Sequence, residues 1–173
     1  VYDNANDLKN YVALFSDISL LKRNQQQLEQ IAHYDMLTNL PNRMLLADRL
    51  EQAIVRSKRL QKSLAVAFLD LDGFKAINDV HGHSVGDELL VILALRMREA
   101  LREGDTLSRF GGDEFVALLD GFDSAEDYDA ILTRLLTAVT QPVAINDTIL
   151  KVSASIGVTL YPADNSDADQ LIR

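Results

Sequence analysis

Arg109-Phe110-Gly111-Gly112-Asp113-Glu114-Phe115 sets two carboxylates directly after a glycine pair, with the apolar run 115–119 following. Glycines between two strand-like runs predict a tight hairpin, because backbone with φ > 0 costs glycine little. Asp and Glu are poor strand formers and resist burial. At a hairpin tip they face either water or a cation. A second acidic element, Asp70-Leu71-Asp72, ends the apolar run 64–69. Sequential strands tend to be neighbours, which would bring Asp70 to the tip that carries Asp113 and Glu114. Three gathered carboxylates repel one another unless a cation stands between them. An all-oxygen set suits Mg²⁺ or Mn²⁺ rather than Zn²⁺. Such a set serves phosphoryl or nucleotidyl transfer, where metals activate a hydroxyl and steady a leaving group. Taken alone, Asp70 reads more simply as a strand-end acid in water; the convergence with the hairpin is what favours a cation site.

The segment after Asp70 has the chemistry to hold a nucleotide. Gly73 lets the backbone approach an anion closely, and successive N–H groups can form a nest for it. Lys75 offers a point charge to phosphate. Asn78 donates and accepts, and Asp87 accepts two N–H bonds. Guanine carries N1–H and N2–H donors beside an O6 acceptor, so the pair matches guanine and mismatches adenine. Each residue also has an ordinary reading. Lys75 is then a solvated lysine, Asn78 a turn residue, Asp87 an early-helix acid favoured by the dipole, and His83 a loop-packing histidine.

These residues need a scaffold. Residues 10–15 read as a short strand, and Ser16-Asp17 as the N-cap of a polar helix over about 18–33. Leu21, Asn24, Leu28 and Ile31 fall at coiled-coil seam spacing over fewer than two heptads. A turn cluster (Asp35, Thr38, Asn39, Pro41) leads to Asn42, which can cap an amphipathic helix over 43–60 with Leu46, Leu50, Ala53 and Ile54 inward. Residues 63–71 read as a central strand covered on both faces. A loop-rich stretch over 73–86, with room for a short helical turn, and a helix over 84–102 follow, then the hairpin 106–119. Ser124 can cap a third helix to Val139, with Leu132, Leu135, Leu136 and Val139 inward, and Pro142 stops it. A second hairpin over 143–145 and 148–161 and a helix starting at Asp167 end the chain. This order predicts an α+β fold: a mainly antiparallel central sheet flanked by helices, with an N-terminal linker helix.

Composition bounds the function. The 173 residues hold 47% hydrophobic and 25% charged residues, ordinary for a globular protein. A net charge of -9 opposes nucleic-acid groove binding, which needs a basic footprint. With no cysteine there is no disulfide framework and no thiolate site. No apolar run reaches the ~18 residues of a membrane span. The expected location is cytoplasmic, with a membrane anchor elsewhere in a longer parent left open. The first residue is Val1 rather than Met, so the chain reads as a fragment.

Three stretches in order, Asp35-Met-Leu-Thr-Asn-Leu-Pro-Asn-Arg43, the segment 70–87 and the hairpin, resemble the diguanylate cyclase (GGDEF) family. The resemblance covers about residues 33–173. It implies a palm-like nucleotidyl cyclase fold and condensation of two GTP into cyclic di-GMP, with release of two pyrophosphates, by a homodimer. By the family's motifs, Asp70, the Leu71 carbonyl and Asp113 would hold Mg²⁺, and Glu114 would support a second ion. Asp113 would also take the 3′-hydroxyl proton. Phe74 and Lys75 would hold phosphates, and Asn78 and Asp87 would read guanine with His83 near the nucleotide. Gly111 and Gly112 would leave room for the nucleotide over the turn. Arg102-Glu-Gly-Asp105 resembles the family's inhibitory product site. Its ordinary reading is a helix end, with Arg102 at the negative pole of the dipole and Gly104 as the C′ glycine. Residues 1–19, ending Phe15-Ser16-Asp17-Ile18-Ser19, resemble the last strand and exit of a PAS sensor domain, and 20–33 would be the signalling linker helix. The cyclase domain would span 34–173 and lack a later helix that carries a phosphate-binding lysine. A non-catalytic cyclic di-GMP receptor is the alternative, weakened by the presence of all three acids.

Overall fold

The computed structural model describes residues 17–123, 125–164 and 167–171. The strand expected over 10–15, and Ser124 as a cap, lie outside those residues. Two compact units divide the chain, 1–30 and 31–173. Helix α1 (Ser19–His33) begins in the first, where the Asp17 carboxylate accepts from the Ser19 N–H at 2.9 Å, as expected of a cap. Its apolar residues Leu21 and Leu28 are exposed.

The second unit is an antiparallel sheet between helical layers. Helix α2 (Arg43–Leu60) starts where sequence placed it, with Asn42 Oδ1 accepting from the Leu45 N–H at 3.1 Å. Asn42 also donates its backbone N–H to the His33 carbonyl and its side-chain amide to the Ala32 carbonyl. One residue therefore satisfies orphan groups at the end of one helix and the start of the next. Leu46, Leu50, Ala53 and Ile54 are buried, as their spacing required.

Strand β1 (Ser63–Asp72) runs two residues past Asp70. It lies between β3 (Glu114–Phe122) and β6 (Ser153–Tyr161), in the order β2-β3-β1-β6. The edge strand β2 (Thr106–Gly111) meets only β3, so β1 neighbours the hairpin through its second strand. Both faces of β1 are covered. Ala65, Ala67, Leu69 and Leu71 join a large core under the later helices, and Leu64 and Val66 join a smaller core with α2.

Three expectations are corrected. The stretch 73–86 is mostly helical, as α3 (Phe74–His81) and the start of α4 (His83–Ala100). Gly73 (φ 77°) and Gly82 (φ 86°) bracket α3 in backbone that only glycine adopts cheaply, and this gave the segment the composition of a loop. The strand expected over 148–161 is broken at residues 151–152, where Val152 turns into the core. Thus β4 (Val143–Ile145) and β5 (Thr148–Leu150) form a separate two-stranded sheet, and only β6 joins the main one. In α5 (Ala125–Thr140) the buried positions are Ile131, Leu135 and Val139, while Leu136 is exposed. Helix α6 (Ala168–Leu171) packs Leu171 against the α2 side.

Candidate active site

The hairpin turn is shifted by one residue from the expected glycine pair. Gly111 ends β2 with φ 145°, Gly112 and Asp113 form the two-residue loop, and Glu114 opens β3. Asp113 therefore sits in the turn, half-buried, and Glu114 in a strand row. The register places Glu114 directly opposite Asp70, and Asp70 directly opposite Ser155 on β6. Residues paired this way across antiparallel strands project on one face with Cβ atoms about 5 Å apart, and like charges so placed destabilise a sheet. This sheet places the carboxylates of Asp70 and Glu114 in one row. They border a cleft of about 490 Å³ whose walls include Phe68, Phe110, Ile156 and Arg43. The Arg43 guanidinium lies 5.3 Å from the Phe110 ring centre.

The donors fit a hard divalent cation in kind: carboxylate oxygens, with no imidazole in the row. Among the described residues, no three His, Asp or Glu side chains gather closely enough to cage an ion. The backbone joins Asp70 to Glu114, and Asp113 follows in the adjoining turn.

Asp72, two residues beyond Asp70, accepts from the Ser153 hydroxyl at 2.6 Å and the Ser155 hydroxyl at 2.9 Å. These bonds, Ser153's first, hold its carboxyl below the usual range. Ser155 is thus engaged by Asp72 although its register partner is Asp70.

Sequence reasoning missed Arg109. Its Nη1 donates to both Asp35 oxygens, at 2.9 and 3.1 Å, while Nε and Nη2 donate to the Gly112 carbonyl at 3.0 and 2.7 Å. One guanidinium joins the turn 35–42 to the hairpin loop. Burial pushes the Asp35 carboxyl up, but the Thr38 hydroxyl and N–H and the Arg109 guanidinium together hold it below its ordinary value. Two bonds to the Pro41 carbonyl, from Ser108 Oγ at 2.7 Å and Arg109 N–H at 3.0 Å, complete the junction. The signal in sequence was an arginine two residues before a glycine pair, with Asp35-x-x-Thr38 in the turn cluster upstream.

The nucleotide candidates lie on α3 and α4. Phe74 is buried in the core, so only its backbone N–H, in the first turn of α3, is left for an anion. Lys75 is exposed on the same turn. Asn78 is half-buried and Asp87 exposed. His83 opens α4 exposed, contrary to a packing role. Arg102 and Asp105 exchange bonds: the Arg102 N–H donates to Asp105 Oδ2 at 3.0 Å, and the Asp105 N–H to the Arg102 carbonyl at 3.1 Å. Helix α4 ends at Ala100 with an extended Leu101 as its C-cap, so Gly104 is not the C′ glycine, while Arg102 does stand directly after the helix end. The Arg102 guanidinium is exposed. Burial raises the Asp105 carboxyl, against its bonds from the Arg102 and Asp120 N–H groups. Beside Asp105 a polar cleft of about 310 Å³ includes Arg49 and Arg56, also unforeseen.

A strand-end acid row beside a glycine turn stands on an antiparallel sheet between helical layers, the palm-like arrangement that the resemblance to nucleotidyl cyclases implied. Residues 32–173 match the family model for the diguanylate cyclase GGDEF domain, and the chain belongs to that family. It is 47% identical over 152 residues to the bifunctional diguanylate cyclase/cyclic di-GMP phosphodiesterase MucR of Pseudomonas aeruginosa, covering 88% of this chain and 22% of that protein. It is 41% identical over 148 residues to the cyclic di-GMP phosphodiesterase NbdA of the same organism, covering 84% of this chain and 18% of that protein. The chain therefore spans about a fifth of the length of these relatives. The solved GGDEF domain of Pseudomonas aeruginosa TpbB (YfiN) superposes with a TM-score of 0.78 at 39% identity, covering 81% of this chain and 82% of that one. No described helix is long and apolar enough to cross a membrane.

Proposed function

We propose that this chain is the catalytic domain of a diguanylate cyclase that condenses two GTP into cyclic di-GMP with release of two pyrophosphates. The observation that carries the reading is the placement of Glu114 directly opposite Asp70, with Asp113 in the adjoining two-residue turn. Asp70, the Leu71 carbonyl, Asp113 and Glu114 would hold Mg²⁺ or Mn²⁺. The ion supplies charge neutralisation at the phosphates and lowers the pKa of the attacking 3′-hydroxyl. Asp113 accepts that hydroxyl's proton. The Phe74 N–H and Lys75 bind the triphosphate, Asn78 and Asp87 hold the guanine, and His83 stands near the nucleotide. Gly111 and Gly112 leave space above the turn for the ribose.

Each subunit presents one GTP, so turnover needs a homodimer. The linker helix over 20–33, following a PAS-type tail over 1–19, sets how two sites face each other. Product binds at Arg102 and Asp105 and inhibits: the guanidinium stacks on a guanine, and the carboxylate accepts from its N–H groups. The domain acts in the cytoplasm, whether or not the parent is membrane-anchored.

The pair Arg102 and Asp105 also suits a second reading: a GGDEF module that binds cyclic di-GMP without making it. Asp70, Asp113 and Glu114 oppose it, because a receptor has no use for them. Purified full-length protein incubated with GTP and Mg²⁺ separates the two. Cyclic di-GMP formation supports the cyclase, and tight product binding without formation supports the receptor. Asp113→Asn is expected to abolish turnover and leave product binding intact; full activity in that variant would sink the metal assignment.

A further inference from the structure

Gly86 is the fourth residue of α4, closing its first turn, where that helix packs on α3. A Cβ built on it would stand 1.9 Å from Asn78 Oδ1, 2.9 Å from Asn78 Cγ and 3.2 Å from Phe74 Cζ. Gly86 is absent from the positive-φ glycines, so what glycine supplies here is room rather than conformational freedom. The atom most in the way is the end of a short side chain. A methyl group at 86 would therefore turn the Asn78 amide aside before it forced the helices apart. Alanine is also the better helix former, so the fold gains propensity where it loses space.

A second observation concerns the same amide. Asn78 Oδ1 is buried without a hydrogen-bond partner, where most buried polar atoms are paired. Orphaned N–H groups are rarer than under-satisfied carbonyl oxygens, so burying the oxygen is the cheaper of the two amide orientations. The planar group then directs Nδ2 away from Gly86, as a donor. Asp87, the next residue, contributes an exposed carboxylate.

We infer that Gly86 is a specificity-determining position. The room it leaves lets Asn78 tuck its oxygen against α4 and present Nδ2 as a donor in concert with the Asp87 acceptor. Such a donor–acceptor pair fits the O6, N1–H and N2–H edge of guanine and not the edge of adenine. This rests on the guanine reading of Asn78 and Asp87 proposed above. Gly86 touches no nucleotide itself and acts through Asn78.

The test is equilibrium binding of GTP and of ATP, in the presence of Mg²⁺, to the full-length protein and three variants: Gly86→Ala, Asn78→Ala and the double variant. Gly86→Ala is expected to lose about tenfold in GTP affinity, the effect of one lost hydrogen bond, with ATP affinity unchanged. In the Asn78→Ala background the glycine substitution is expected to do nothing further. A Gly86→Ala protein that keeps the wild-type GTP-over-ATP ratio overturns the inference. So does one whose loss is as large without Asn78 as with it, because Gly86 then serves the fold alone. If Gly86→Ala does not fold, the Asn78→Ala background decides, since the collision with the amide is gone there and only the 3.2 Å approach to Phe74 Cζ remains. A folded double variant matching Asn78→Ala upholds the inference, and an unfolded one overturns it. A wild-type protein with no preference for GTP instead overturns the guanine reading, and that failure shows before any variant is made.

Discussion

Arg109→Ala removes every bond between the hairpin loop and the turn at Asp35 that passes through the guanidinium: two contacts to the carboxylate and two to the Gly112 carbonyl. Hydrogen bonds to charged groups contribute about 1.5–3 kcal/mol, and breaking a fully buried pair costs about 3–5 kcal/mol. The Arg109 and Asp35 side chains are 9% and 21% exposed, so water can partly replace what is lost. The expected cost is about 2–3 kcal/mol, read as a lower urea midpoint with an unchanged slope. Arg109→Lys keeps the charge without the fork and cannot serve both partners, so it should recover only part of this. Turnover should fall further than stability, because a shift of ~1 Å in a catalytic group can cost ~10²-fold. The assay pairs urea unfolding with cyclic di-GMP formation at a temperature where every variant is folded. An Arg109→Ala protein with a wild-type midpoint, or with wild-type turnover, would refute the idea that this guanidinium holds the tip. Asp35 adds a pH signature. Its folded pKa lies below the ordinary 3.8, so on acidification the unfolded chain takes up the proton first. Its contribution is therefore present above about pH 4 and lost as pH falls through the depressed folded value, and Asp35→Asn should lack that portion of acid sensitivity.

Asp105 carries the opposite sign. Burial raises its folded pKa, so stability present in acid is lost as pH rises through the folded value. Asp105→Asn should raise the urea midpoint at neutral pH, with the gap over wild type closing below about pH 4, and should weaken cyclic di-GMP binding in calorimetry. Replacing the exposed Leu21 and Leu28 by Lys should reduce dimerisation and turnover together in analytical ultracentrifugation and kinetics; unchanged dimerisation would count against a role for α1 in pairing. Leu93→Ala, at a fully buried position of the larger core, should cost about 3 kcal/mol in urea unfolding and leave the GTP-over-ATP preference intact.

Much of the scaffold was legible because local chemistry and tertiary packing agreed. Asn42 caps α2 as its type and position required, and an apolar run without charge became a strand covered on both faces. Where the two conflicted, sequence misled. The glycines that bracket α3 look like loop residues until their φ values show them ending and starting helices. Leu136 satisfies the helical spacing as well as Ile131, and only the packing of α5 decides between them. Within the site, the acids were visible as residues, but their order was not. That Glu114 rather than Asp113 faces Asp70 depends on which two residues form the turn, a one-residue matter of register. Arg109 was invisible because its partners lie three residues away on one side and 74 on the other.

The two faces of the sheet are unequally roofed. One carries the larger core beneath α3, α4 and α5; the other carries the smaller core shared with α2 and α6. Local opening is cheapest where the fewest apolar contacts must be broken. Amide protons of α6 and α2 should therefore exchange with solvent ahead of those of α4, while β1 and β3, each paired on both edges, exchange last. Leu64 and Val66 face the layer that loosens first, and Ala65 and Leu69 the layer that holds. The strand bearing Asp70 thus stays anchored from one side while the other side breathes, and the row with Glu114 survives fluctuations that uncover the cleft beside it.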